Sequence, residues 1–335
     1  MSLDRITLAH GAGGRMSQEL MEKVILPEFG NPLLNELHDG AVVELRGRTA
    51  FTTDSYVVKP LFFPGGNIGK LAVCGTVNDL SMTGAVPRYL SVGLVLEEGF
   101  PIKDLQAILH TMREMAQEAG VSIVTGDTKV VGKGQADGIF INTAGVGDIL
   151  SGTDISPRKV APGMKVLLSG YLGDHAAVIL AGQHGLEIPD YLHTDCAPLN
   201  RMIRAMLEAV PEIAMLRDPT RGGVAAVLNE IAAASQVGIL IDEERLPIHS
   251  EVQGICDLLG FDTLELANEG KVVAFVPAGR EEEVLSVMRS FPYGKNACVI
   301  GETVAEAVGQ VGLRTAIGGI RVVDMPLGNL VPRIC

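Results

Sequence analysis

Helical and strand periods alternate along nearly the whole chain. In residues 101–119, Ile102, Leu105, Ile108, Leu109, Met112, Met115, Ala116 and Ala119 recur at helical spacing. Pro101 opens that stripe and Gly120 closes it, which predicts an amphipathic helix. A second helix is predicted over 67–83, with Ile68, Leu71, Ala72 and Gly75 on one face, ahead of Gly84 and Pro87. Strand-like runs cover 88–96, 121–125 and 139–146. Around 150–163 both periods fail in a turn-rich stretch that includes Pro157, Pro162 and Gly163, the best domain boundary. The pattern then restarts. Strands are predicted at 164–168, 238–241 and 271–276, and helices near 175–183, 198–209, 224–235 and 280–290. The final residues, 325–335, carry Pro326, Pro332 and Gly328, which defeat either period and read as a tail. The expectation is an α/β chain with domains at 1–150 and 151–324 and a tail at 325–335.

Composition narrows the function classes. At 335 residues, 47% hydrophobic and 20% charged, the chain carries enough apolar material for real cores and shows no disorder signature. Its formal charge is −13 with no basic block, so nucleic acid and anionic membrane surfaces are poor partners. A negative protein still binds phosphates when metal ions supply the positive charge. The five cysteines, Cys74, Cys196, Cys256, Cys298 and Cys335, are odd in number and far apart. Neither a disulfide framework nor a zinc-finger spacing follows, and a reducing compartment fits better. Residues 1–5 lack the basic start of a signal peptide, and no apolar run approaches the ~18 residues of a membrane span. A cytoplasmic protein is expected.

Several segments carry chemistry. Asp54 and Asp127 end strand-like runs, Asp39 sits in His38-Asp-Gly40, and Asp79 follows Asn78 on the predicted 67–83 helix. Such aspartates suit Mg²⁺, which takes a few carboxylates plus substrate phosphates. Each alone reads better as a turn cap, and only the set of four in one domain turns the reading toward metal. Two Gly-rich segments, His10-Gly-Ala-Gly-Gly14 and Pro64-Gly-Gly-Asn-Ile-Gly-Lys70, precede helices and are placed to offer backbone N–H groups to phosphate. Neither matches a P-loop or a dinucleotide fingerprint. Arg217-Asp-Pro-Thr-Arg-Gly-Gly223 combines two cations and an acid ahead of a helix. Glu269, in Asn268-Glu-Gly-Lys271, is a carboxylate at a turn into a strand. Cys335 does not read as core packing, because the ten residues before it, extended, reach roughly 33 Å.

Together these segments, with Thr53-Asp-Ser-Tyr-Val-Val58, Gly75-Thr-Val-Asn-Asp79, Gly126-Asp-Thr-Lys129 and Pro332-Arg-Ile-Cys335, resemble the HypE family of [NiFe]-hydrogenase maturation factors. That family resembles in turn the aminoimidazole ribonucleotide synthetase superfamily. The resemblance implies a two-domain fold whose N-terminal sheet pairs with its mate in a homodimer and whose C-terminal domain has helices on one face. It implies ATP and Mg²⁺, with Asp39, Asp54, Asp79 and Asp218 at metal positions and Asp127 beside them. Asn67, Lys70, Gly126, Asp127 and Thr128 match nucleotide-contact segments. Cys335, Glu269 and Lys129 become the catalytic set. The resemblance implies that Cys335 carries a carbamoyl group received from the carbamoyltransferase HypF and that ATP drives its dehydration to a thiocyanate. Glu269 is then the candidate base and Lys129 the candidate for charge stabilisation, and the resemblance implies that the cyanide goes to iron on a HypC–HypD complex. A sibling phosphoryl-transfer enzyme, of selenophosphate synthetase or kinase type, is the alternative. Selenophosphate synthetases, however, carry a reactive Cys or selenocysteine in the first Gly-rich segment, and residues 9–15 have none.

Overall fold

The computed structural model describes residues 4–12, 14–37 and 40–326. Asp39, Cys335 and all of the tail beyond Pro326 lie outside the described residues. The N-terminal half begins with two short helices, α1 (Arg15–Leu20) and α2 (Leu26–Phe29). It continues through β1 (Thr49–Tyr56), a small hairpin of β2 (Phe62–Phe63) and β3 (Gly66–Asn67), α3 (Ile68–Met82), β4 (Ala85–Glu97), α4 (Ile102–Ala119), β5 (Ser122–Val131) and β6 (Ile139–Ile149). The four long strands form one sheet in the order β1-β6-β4-β5, antiparallel except for β4 against β5.

Among the described residues, only one face of this sheet is covered. Leu90, Val92, Leu94 and Leu96 of β4 are buried and share a core cluster with residues of α3 and α4. On the opposite face the register lines up Phe51, Val146 and Tyr89, and Phe51 is 70% exposed. α4 is the predicted amphipathic helix, ended by Gly120 at φ 74. α3 differs. It is wedged between the sheet, α4 and the C-terminal half, so all but two of its residues are buried and its apolar stripe is blurred.

The C-terminal half runs β7 (Lys165–Leu168), α5 (Asp174–His184), α6 (Asn200–Ala209), β8 (Met215–Arg217), α7 (Gly223–Ser235), β9 (Gly238–Asp242), α8 (Ser250–Leu259), β10 (Val273–Val276), α9 (Glu281–Arg289), β11 (Cys298–Val304), β12 (Val311–Arg314) and β13 (Ile320–Val322). Its sheet has the order β13-β12-β9-β11-β7-β10-β8. Here the expectation of helices on one face needs correction. Val166, Leu168, Val273 and Phe275 pack with Val224, Leu228 and Ile231 of α7. Leu167, Ala274 and Val276 pack with α6 and α9 on the other side, against Met202, Met206 and Leu285. The uninterrupted apolar run 272–276 is what a strand buried on both faces requires.

Helices α5 and α8 leave that sheet and join the other half. Ile179, Leu180, Val252 and Cys256 belong to the same buried cluster as Ile68, Leu71 and Leu105. The two halves therefore share a core, and a cleft lies beside it.

Candidate functional site

The cleft forms where the end of β1 and the C-terminal half of α3 meet the β8–α7 loop. Asp54, Asp79, Asp218 and Glu269 line one cavity of about 380 Å³ together with Tyr56, Arg217 and Arg221. Asp54 lies on the covered face of β1, in register with the buried Thr143, whose hydroxyl bonds to Ala72 O on α3. Asp79 comes from α3 and accepts a hydrogen bond from Thr52 Oγ1 at 3.1 Å. α3 approaches β1 closely, because a Cβ at Gly75 would collide with Tyr56 Oη. Asp218 follows β8.

Glu269 is placed by its backbone. Its carbonyl accepts from Asn78 Nδ2 at 3.3 Å, its N–H donates to Asp195 Oδ1 at 3.0 Å, and Asn268 Nδ2 reaches Pro219 O at 3.0 Å. One turn, 268–271, thus ties together α3, the Asp218 loop and the 194–196 segment.

The cavity is an acidic site short of cations. Burial pushes the Asp218 carboxyl up to about 7, with Asp79 adding to the rise. Asp79 is also raised, first by burial and then by Asp54, although Thr52, Arg217 and Arg221 oppose the shift. Glu269 is 4% exposed and raised well above the carboxylate range, by burial first and then by Cys196, Asp195, Asp218 and Asp54. Its Oε1 has no hydrogen-bond partner among the described residues. Burial and like charge favour the protonated form of such a carboxyl, and positive charge entering the cleft would favour the base. Burial and Asp54 likewise keep the Tyr56 phenol protonated.

Hard carboxylate oxygens crowded in this way fit Mg²⁺. Among the described residues no three acidic, His or Cys side chains are close enough to ligate one ion. Mg²⁺ needs only one or two carboxylates besides phosphate oxygens and water.

The structure does not bring every expected residue here. Gly126, Asp127, Thr128 and Lys129 lie on β5, the opposite edge of the sheet from β1. Three strand spacings of ~4.8 Å separate those edges by about 14 Å. Asp127 also pairs with Gly93, and Lys129 with Val95, on the open face. Within one chain, therefore, Asp127 is not beside Asp54, Asp79 and Asp218, and Lys129 is not beside Glu269. Asn67 is the N-cap of α3: its Oδ1 accepts from Gly69 N and Lys70 N, and its Nδ2 donates to Thr111 Oγ1. That consumes its side chain structurally. Lys70 donates to Gly65 O at 2.9 Å and lines a second cavity of about 260 Å³, shared with Asp195, Lys271, Asp174 and His249. Asn78, Tyr56 and Asp195 went unnoticed in the sequence as site residues. Asn78 had a signal, its place next to Asp79, whereas Asp195 had none.

Known proteins agree with this architecture. Residues 37–149 match the family model "AIR synthase related protein, N-terminal domain", and residues 161–314 match the corresponding C-terminal domain. The carbamoyl dehydratase HypE of Rhodobacter capsulatus is 49% identical over 335 residues, covering 99% of this chain and 98% of that protein. The chain belongs to the HypE family. A crystal structure of hydrogenase maturation protein HypE in complex with ATP superposes with a TM-score of 0.95 at 46% identity, covering both chains completely. A HypE chain from a HypE–HypF complex superposes at 0.81 with 48% identity, over 92% of this chain and 99% of that one. HypE proteins thus share the fold seen here.

Proposed function

We propose that this chain uses ATP to dehydrate a carbamoyl group carried on Cys335, leaving a thiocyanate that supplies the cyanide ligand of [NiFe]-hydrogenase iron. The observation that carries the reading is Glu269: a buried carboxyl with an oxygen unpartnered among the described residues, in a cavity shared with three aspartates. An amide oxygen leaves only once it is phosphorylated. The carbonyl oxygen of the S-carboxamide attacks the γ-phosphorus and ADP departs. The nitrogen then loses two protons as the C–O bond breaks, giving S–C≡N and inorganic phosphate. Phosphoryl transfer of this kind asks for positioning and charge neutralisation more than covalent help.

In this reading Asp54, Asp79, Asp218 and Asp39 would each offer a carboxylate to Mg²⁺ ions held mainly by phosphate oxygens and water, and the metal would neutralise phosphate charge. Glu269 takes the protons. Gly126, Asp127, Thr128 and Lys129 act at the cleft across a homodimer built on the open sheet face that carries Phe51, because they cannot reach it within one chain. Residues 1–150 and 151–324 are the two domains, and 325–335 is the carrier segment that offers Cys335 to HypF and to a HypC–HypD complex in the cytoplasm. No helix of the described residues is long and apolar enough to cross a membrane.

Mass spectrometry of the Cys335 peptide after carbamoylation tests the reading. With ATP the peptide is expected to lose one water. A carbamoyl mass that persists while ATP is consumed overturns the proposal.

A further inference from the structure

The 268–271 turn separates two cavities, and its far side is held by a single carboxylate. Asp195, its side chain 2% exposed, accepts from Glu269 N at 3.0 Å, from Gly270 N at 3.3 Å and from Lys271 Nζ at 2.9 Å. Three donors from consecutive residues thus converge on two oxygens, and the resulting grip fixes the peptide planes on both sides of Glu269 Cα. Gly270 lets the turn come this close, because a Cβ there would collide with Asp195 O. Asp195 is itself fixed: the next N–H, of Cys196, donates to Thr194 Oγ1 at 3.1 Å, and that hydroxyl bonds to His175 Nδ1 at 2.8 Å. The pair Lys271–Asp195 neutralises what would otherwise be a buried charge.

From this geometry we infer that Asp195 is a positioning residue for the dehydration: it aims the Glu269 carboxyl into the cleft and is itself anchored by Lys271. The side chain of Glu269 makes no hydrogen bond through Oε1 among the described residues. With Oε1 unanchored, its direction leans on its backbone, which Asp195 and Asn78 hold. Asp195 itself lines the second cavity and not the acidic one, so it acts on the reaction only through Glu269.

The inference rests on Glu269 being the base, and the experiment keeps the two claims apart. Thiocyanate formation is measured in carbamoylated full-length protein for Asp195→Asn, Glu269→Gln and the double variant, with ATP affinity measured in parallel. Asn keeps the shape but offers one acceptor where three donors converge. A misplacement near 1 Å costs on the order of 10²-fold, so Asp195→Asn is expected to lower the rate about 100-fold. ATP affinity should stay within about two-fold of wild type, because Asp195 lines only the other cavity.

In the double variant the Asp195 effect should vanish, since a residue acting through Glu269 has nothing left to aim. Additive losses, a wild-type rate in Asp195→Asn, or a parallel loss of ATP affinity would each overturn the positioning role. A wild-type rate in Glu269→Gln would instead remove the base reading. Should Asp195→Asn not fold, Lys271→Gln loosens the same grip while leaving both backbone donors on Asp195. Its loss is expected to be smaller and again absent in the Glu269→Gln background, and an additive loss there would overturn the inference.

Discussion

Two cavities lie back to back across the 268–271 turn, and they treat Asp195 and Glu269, the buried acids on its two sides, in opposite ways. In the second cavity Asp195 bonds Lys271 at 2.9 Å, while Asp174 meets His249 Nδ1 at 2.9 Å and is still raised by burial. Burial pushes Asp195 up, yet Lys271 and His175 bring it below the usual carboxylate range. In the cleft, Asp79, Asp218 and Glu269 are all raised, mainly by burial and by one another. An acid already matched with a cation is finished as structure. An acid left unmatched in a shared cavity is waiting for charge from outside, which here means a metal ion or a substrate.

Variants test how sharp that distinction is. The largest effect belongs to Asp54→Asn and Asp79→Asn, which keep side-chain size and remove the charge that Mg²⁺ needs. Both should abolish phosphate release from ATP while circular dichroism stays native. Normal turnover would return these residues to turn capping. Glu269→Gln comes next, with thiocyanate formation slowed by ~10²–10⁴, the usual cost of losing a general base.

Asp218→Asn should act on stability, in the direction set by its carboxyl. The folded form holds its proton up to about pH 7, whereas an unfolded aspartate titrates near 3.8. The folded state therefore binds more protons between those values, and stability falls as pH rises through that window. The difference is worth at most about 4 kcal/mol. Without Mg²⁺ and ATP, the Asn variant should melt above wild type at pH 8 and level with it near pH 4. Equal melting at both would mean that Asp218 is already neutralised within the protein. The smallest effect is expected at Asn67→Ala, about 1 kcal/mol of stability for a lost N-cap, with ATP affinity unchanged. Weakened ATP binding there would restore Asn67 to the nucleotide site.

Much of this was legible in the chain itself. The stripe in 101–119 became α4, and the apolar run near 271–276 became β10. Asp54, Asp79, Asp218 and Glu269 were all named from local motifs. Less legible were the short strands of 298–322, where Gly301 and Gly312 interrupt the runs and all three residues of β13 are exposed, so no alternation survives. Grouping was harder still. Asp127 looks like Asp54 in sequence, each ending a strand-like run, but sheet order sends them to opposite edges. Asp195 carried no signal, because its role exists only when the 268–271 turn folds back onto it.

The shared core also limits how this protein can be taken apart. α5 is encoded after residue 150, yet its Ile179 and Leu180 are buried in one cluster with Leu71 and Leu105. A fragment cut at the boundary would leave α3 and α4 with that apolar surface bare, and the remainder would carry α5 and α8 with nothing to cover. Heat or denaturant should accordingly melt both halves in one cooperative step. Nucleotide bound at the cleft would then protect amide protons far beyond it, in both sheets at once.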